Sequence, residues 1–186
     1  HAAETNQRIP EEPMMFFKPI SALIGPGDTI IYPKISKRVD YEGELGIVIG
    51  KRARFISQKE AKGYILGYTC CNDVTARDLQ PKDVQIDRSK AFDTFAPIGP
   101  CIATDIDPTS VLLETIHNGR VVQKANTSDM AFSVYELVEH LTKVMTLLPG
   151  DVIATGTPGG IGPMQVGDTI EIRIEGIGSL VNTLGA

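Results

Sequence analysis

The chain has 186 residues, enough for one domain with a substantial buried core. Its net charge of -5 and the lack of a basic block argue against a nucleic-acid surface, and no apolar run approaches the ~20 residues needed to span a bilayer. The three cysteines, two of them adjacent (Cys70 and Cys71), cannot all pair, so a reducing, cytoplasmic setting is expected.

In chain order, short β-branched runs at residues 29–32, 45–49, 152–155 and 169–174 predict strands separated by glycine and proline. The last run alternates. Ile170, Ile172 and Ile174 share one face, and Thr169, Glu171 and Arg173 share the other, the pattern of a half-buried strand. Gly27-Asp28, Gly150-Asp151 and Gly167-Asp168 each precede a predicted strand and read as turns. Ser57 is placed to cap a short helix, with Glu60 at the capping-box position. A second helix is predicted from Ser133, because Val134, Leu137, Val138, Leu141, Val144 and Met145 fall at helical spacing and Pro149-Gly150 follows. His140 on that helix reads as an ordinary surface or boundary residue.

Four segments carry possible chemistry. In Glu42-Gly43-Glu44 the two acids stand two apart at the start of an apolar strand, so both point to one face. Two adjacent carboxylates repel unless one holds a proton or a cation lies between them, and a hard divalent ion with oxygen ligands meets that need. The alternative is an exposed sheet face carrying two independent acids. Asp73 follows a run that reads as the end of a buried strand, where a carboxylate is costly unless paired or bound to metal. It could also be a helix cap or the centre of an Asx-turn. Together the three acids would offer one ion three oxygens, which suits Mg2+ or Mn2+ better than zinc.

Residues 88–100 read as an aromatic, proline-rich loop in which Lys90 could stabilise a developing enolate or simply lie at the surface. Residues 154–163 form a glycine-rich stretch after a strand, whose backbone N–H groups could approach an anion, with Thr157 adding a hydroxyl. It lacks a Walker A pattern, so no nucleotide site is indicated. Cys70, Cys71 and Cys101 read as small core or pocket-wall residues, with no local base to make a nucleophile.

Six stretches in order resemble the fumarylacetoacetate hydrolase family, in particular its shorter members: Phe16-Phe17-Lys18-Pro19, residues 21–28, 40–50 and 72–80, Asn126-Thr127-Ser128-Asp129-Met130, and Gly156-Thr157-Pro158. The resemblance extends over nearly the whole chain. It implies an α+β, β-rich fold, a mixed β-roll or barrel with a few short flanking helices, assembled as a homodimer. It implies that residues 1–186 form a single catalytic domain. Because the chain opens at His1 rather than Met, further residues are expected upstream.

By the same resemblance, Glu42, Glu44 and Asp73 would ligate Mg2+ or Mn2+, and Arg77, Gln80 and Thr157 would bind substrate. Lys90 would be catalytic, as would His1 and Glu4, which match a His-x-x-Glu lid element that polarises water. The partner expected is a small 2-oxo acid, with no nucleic acid and no membrane. The implied activity is hydrolysis of a carbon–carbon bond in an acylpyruvate, or decarboxylation of oxaloacetate. Isomerisation of a hydroxymuconate-type acid would use the same residues. A protein that binds a metal–oxoacid complex without turning it over is the reading from another class.

Overall fold

The computed structural model describes residues 10–186. The strands are β1 (Leu23–Ile24), β2 (Thr29–Ile31), β3 (Val39–Tyr41), β4 (Gly43–Ile49), β5 (Ile65–Asn72), β6 (Thr75–Ala76), β7 (Ala96–Ala103), β8 (Leu112–His117), β9 (Arg120–Asn126), β10 (Val152–Ala154), β11 (Gly162–Met164), β12 (Thr169–Ile174) and β13 (Gly178–Gly185). Three short α-helices flank them: α1 (Gln58–Ala61), α2 (Asp87–Lys90) and α3 (Val134–Val144). One five-stranded sheet runs β1-β7-β5-β4-β10, another runs β2-β13-β12-β8-β9, and β11-β3-β6 form a third, smaller sheet. The β1/β7 and β13/β2 pairs are parallel and the other named pairs antiparallel, so this is the mixed, β-rich fold with few helices that the resemblance implied.

The local signals work as chemistry dictates. The isoleucines of β12 are each about 1% exposed, while Thr169 and Arg173 face solvent. Ser57 and Ser133 both make capping boxes, with Glu60 and Glu136 respectively. In all three Gly-Asp turns the glycine has positive φ (+82°, +93° and +95°). In all three the aspartate Oδ2 accepts the backbone N–H three residues earlier, at 2.7–2.8 Å. Two strands stop one residue short of the predicted run. At the end of β10, Thr155 instead turns both its N–H and its hydroxyl onto the Leu45 carbonyl.

The region read as a proline-rich loop needs correction. Lys90 lies at the end of the one-turn helix α2, and Ala96–Ala103 form a full strand. Residues 96–97 of β7 pair with β1, and Ile98, Gly99 and Ala103 pair with β5 across a register irregularity, which is where a strand tolerates proline. Cys101 is also exposed, so it is not a core residue, and its Sγ donates to the Ile177 carbonyl at 3.5 Å. Among the described residues no helix is long and apolar enough to cross a membrane.

All seven residues of β4 are buried, because β5 and β10 flank the strand and both its faces are covered. At Gly43 the second sheet presses so close that a Cβ would overlap the Thr115 hydroxyl and lie 3.0 Å from Ile172 Cδ1. The glycine between the two acids is therefore a packing requirement. It lets the back of β4 rest on β8 and β12 while Glu42 and Glu44 face the other way.

Candidate active site

Glu42 lies at the junction where the chain leaves the small sheet at Tyr41 and enters the five-stranded sheet at Gly43. Across the ladder, Gly43 pairs with Asn72 and Glu44 with Cys71. That register brings Asp73, just past the end of β5, alongside Glu42. Asp73 N–H donates to the Glu42 carbonyl at 2.8 Å, and Glu42 N–H donates to Asn72 Oδ1 at 3.0 Å. Glu42, Glu44 and Asp73 thus converge, each contributing an oxygen within 4.8 Å of the others. All three are 2–4% exposed, which rules out the reading of two independent acids on a solvent-facing sheet.

Cations surround two of these acids and leave the third. Lys90 Nζ donates to Glu42 Oε2 at 2.9 Å and to Asp73 Oδ2 at 2.6 Å. Lys18 Nζ lies 2.7 Å from Asp73 Oδ1 and also donates to the carbonyls of Val74 and Lys90. Arg77 Nη2 pairs with Glu42 Oε1. Burial pushes the Asp73 carboxyl up, but Lys18 and Lys90 outweigh it and hold the group below its usual range. Burial pushes the Lys90 ammonium down, and Asp73 and Glu42 overcome that and raise it.

Glu44 makes no ion pair among the described residues. Its Oε2 accepts the Gly156 N–H at 2.7 Å. Burial first, then the carboxylates of Asp73 and Glu42, raise its carboxyl well above the ordinary range. Among the described residues, one buried carboxylate is therefore left without an ion-pair partner at a point where three hard oxygens meet, with Lys90 and the Gly156 N–H only partly offsetting its burial. Among the described residues, no sulfur or nitrogen ligand joins them in that cluster. The donor set fits a hard divalent cation such as Mg2+ or Mn2+.

The half-buried residues around this floor form the wall expected to meet substrate. Arg77 donates to Gln80 Oε1 at 2.8 Å and to Asp40 Oδ2 at 2.9 Å, so it is held from both sides. Asp40 is fully buried, and Arg38 also holds it through two further bonds. Thr157 donates its hydroxyl proton to the Gly43 carbonyl at 3.0 Å. Of the site residues expected from sequence, Glu42, Glu44, Asp73, Lys90, Arg77, Gln80 and Thr157 are linked by these contacts. His1 and Glu4 lie outside the described residues. Cys71 lies against the acids, but burial, then Glu44 and Asp73, drive its thiol far up, so it is no nucleophile.

Sequence reasoning passed over three residues. Lys18 appeared only within the Phe16–Pro19 motif, yet it holds Asp73. Asp40 appeared only as part of an acidic stretch, yet it holds Arg77. Gln123 was not singled out. A polar residue among the valines of a β9-like run was its only signal.

Comparison with known proteins agrees with this geometry. The fumarylacetoacetate (FAA) hydrolase C-terminal family matches residues 1–185. An uncharacterized protein of Methanocaldococcus jannaschii is 58% identical over 182 residues, covering 98% of this chain and 77% of the relative. Oxaloacetate tautomerase YisK of Bacillus subtilis is 42% identical, over 100% of this chain and 66% of the relative. Among solved structures, 5-carboxymethyl-2-hydroxymuconate delta-isomerase of Mycobacterium smegmatis superposes with a TM-score of 0.93 at 50% identity, covering 100% of this chain and 74% of that one. With its fold, its acidic cluster and these relatives in agreement, the chain belongs to the fumarylacetoacetate hydrolase family.

Proposed function

We propose that the protein is a divalent-metal-dependent enzyme acting on small 2-oxo or enol carboxylic acids, through an enolate. The observation that carries this reading is the buried Glu42–Glu44–Asp73 cluster, in which Glu44 has no ion-pair partner among the described residues while Lys90 and Arg77 pair with its neighbours. A bound Mg2+ or Mn2+ would supply a Lewis acid for the adjacent carboxylate and keto oxygens of such a substrate.

The chain's own groups divide the remaining work. Lys90 carries a buried positive charge beside the acids, where negative charge grows as the substrate enolises. Arg77, preset by Asp40, and Gln80 present N–H donors to a carboxylate at the rim. Glycine-rich residues 156–160 bring Thr157 to the same wall. By the family resemblance, His1 with Glu4, both outside the described residues, would handle the mobile proton, taken from the substrate carbon or from a water.

The names of the relatives favour proton transfer, as tautomerisation or isomerisation, over carbon–carbon hydrolysis and decarboxylation. All these reactions share the enolate, so one assay panel separates them. The protein is incubated with Mn2+, with Mg2+ or with EDTA and offered oxaloacetate, acetylpyruvate and a hydroxymuconate-type acid. Enol–keto interconversion of oxaloacetate that EDTA abolishes is the expected result. Pyruvate release instead would assign hydrolysis or decarboxylation. Tight metal binding without turnover of any substrate would make it a binding protein. Replacing His1 is expected to remove turnover and leave Mn2+ affinity intact.

A further inference from the structure

Gln123 is the one buried residue of β9, 1% exposed, and it touches none of the three clustered acids directly. Its neighbours fix which way its amide points. The Gly43 N–H can only donate, so the atom 3.0 Å from it is the oxygen Oε1. The Pro158 carbonyl can only accept, so the atom 3.0 Å from it is Nε2. The same Nε2 donates to Thr157 Oγ1 at 2.8 Å. The threonine proton is thereby directed to the Gly43 carbonyl, 3.0 Å away. The result is a closed ring: Gly43 N–H to Gln123, Gln123 to Thr157, and Thr157 back to Gly43 C=O. The ring lies directly behind the strand position that separates Glu42 from Glu44.

The segment this ring holds is anchored at its ends, by the Gly156 N–H to Glu44 and by the pairing of Gly162 with Tyr41, but is glycine-rich between them. Gly156, Gly159, Gly160 and Gly162 surround Thr157, and glycines carry the greatest backbone freedom. A binding hydroxyl on such a segment needs bracing, because ordering it during binding would weaken affinity. A second clamp acts on the same segment, since Tyr41 OH donates to the Gly160 carbonyl at 3.0 Å.

We propose that Gln123 is a positioning residue that holds Thr157 and the glycine-rich segment in place for substrate, acting through Thr157 and not through the metal ligands. This rests on the 2-oxo acid reading above. The test uses the full chain and its Gln123→Met, Thr157→Val and doubly substituted forms. Mn2+ affinity is measured by calorimetry, kcat and KM with oxaloacetate, and binding of oxalate to the Mn2+-loaded protein.

Gln123→Met is expected to raise KM and weaken oxalate binding about tenfold, with kcat changed less and Mn2+ affinity within about threefold. The double variant should be no worse than Thr157→Val alone, because the two residues act as one unit. Additive losses would overturn the proposal, as would a large loss of Mn2+ affinity or unchanged oxalate binding in Gln123→Met. Should Gln123→Met fail to fold, Gln123→Glu keeps the acceptor for Gly43 and loses the amide donors. The same pattern is then expected, and wild-type oxalate binding would overturn the proposal. A parent protein that binds oxalate but turns over no substrate would sink the enzymatic reading alone, since the coupling is still read from oxalate binding.

Discussion

Glu44→Gln separates the two demands placed on the acidic cluster. Burial, then the carboxylates of Asp73 and Glu42, hold the Glu44 carboxyl well above its ordinary value of 4.5. Below that value the group is protonated in both the folded and the unfolded chain. As pH rises towards the folded value, the unfolded chain releases its proton and the folded one does not, so metal-free stability falls. Each tenfold change in acid constant is worth about 1.4 kcal/mol. Glutamine removes that penalty. Its oxygen can still accept the Gly156 N–H, and its amide would lie among Glu42 and Asp73 oxygens that are within 4.8 Å of Glu44.

With metal removed by EDTA at pH 8, the variant should exceed the parent by about 1–2 kcal/mol. That corresponds to about 2–8 °C in Tm for a chain of this length, and the gap should shrink towards pH 5. With Mn2+ at a hundred times its Kd, the parent gains about 2.7 kcal/mol and the variant far less, so the order reverses. Thermal melts followed by circular dichroism under these three conditions read all of this. A variant less stable than the parent in EDTA at pH 8 would refute the electrostatic account, and an equal Mn2+ shift would refute the ligand assignment.

Three further outcomes follow from contacts in and beyond the site. Gly43→Ala places a methyl into the Thr115 hydroxyl and should cost about 1–3 kcal/mol in urea unfolding. Thr115→Ala in the same chain should restore part of it, because that hydroxyl has no hydrogen-bond partner among the described residues, and an equal loss in both would refute the packing argument. Lys18→Met strips a donor from Asp73 and from two carbonyls and should cost about 3–5 kcal/mol, and a denaturation shift under about 1 kcal/mol would show that Asp73 does not need it. Burial pushes the Asp168 carboxyl up, but Asn118, the Gln165 N–H and His117 outweigh it and lower it. The stability this provides is present above 3.8 and lost as pH falls through the folded value, so Asp168→Asn should flatten the acid limb of a urea-midpoint profile. An unchanged slope there would dismiss the role.

Much of the chain was legible because its local chemistry is self-contained. The capping boxes at Ser57 and Ser133, the three Gly-Asp turns and the alternating isoleucines of β12 each depend on neighbours within a few residues. The strand β7 was not legible. Its prolines read as loop, and only pairing with β1 and β5 makes that segment a strand. Lys90 taken alone leaves both an enolate-stabilising and a surface role open, because nothing in residues 88–95 reveals the carboxylates 17 and 48 positions earlier.

For the site, the sequence by itself determined that Glu42 and Glu44 share a face, because alternate residues of a strand must. It also placed the glycine between them and supplied Asp73, Arg77, Gln80 and Thr157 as candidates. Only the tertiary structure decided that this face is buried, since burial belongs to the sheet and not to the strand. The β4–β5 register, set by many backbone pairs at once, brings Asp73 to Glu42. The same assembly spends Lys18, Lys90 and Arg77 on two of the acids and, among the described residues, gives Glu44 the Gly156 N–H in place of an ion pair, and a count of charges along the chain cannot foretell that distribution.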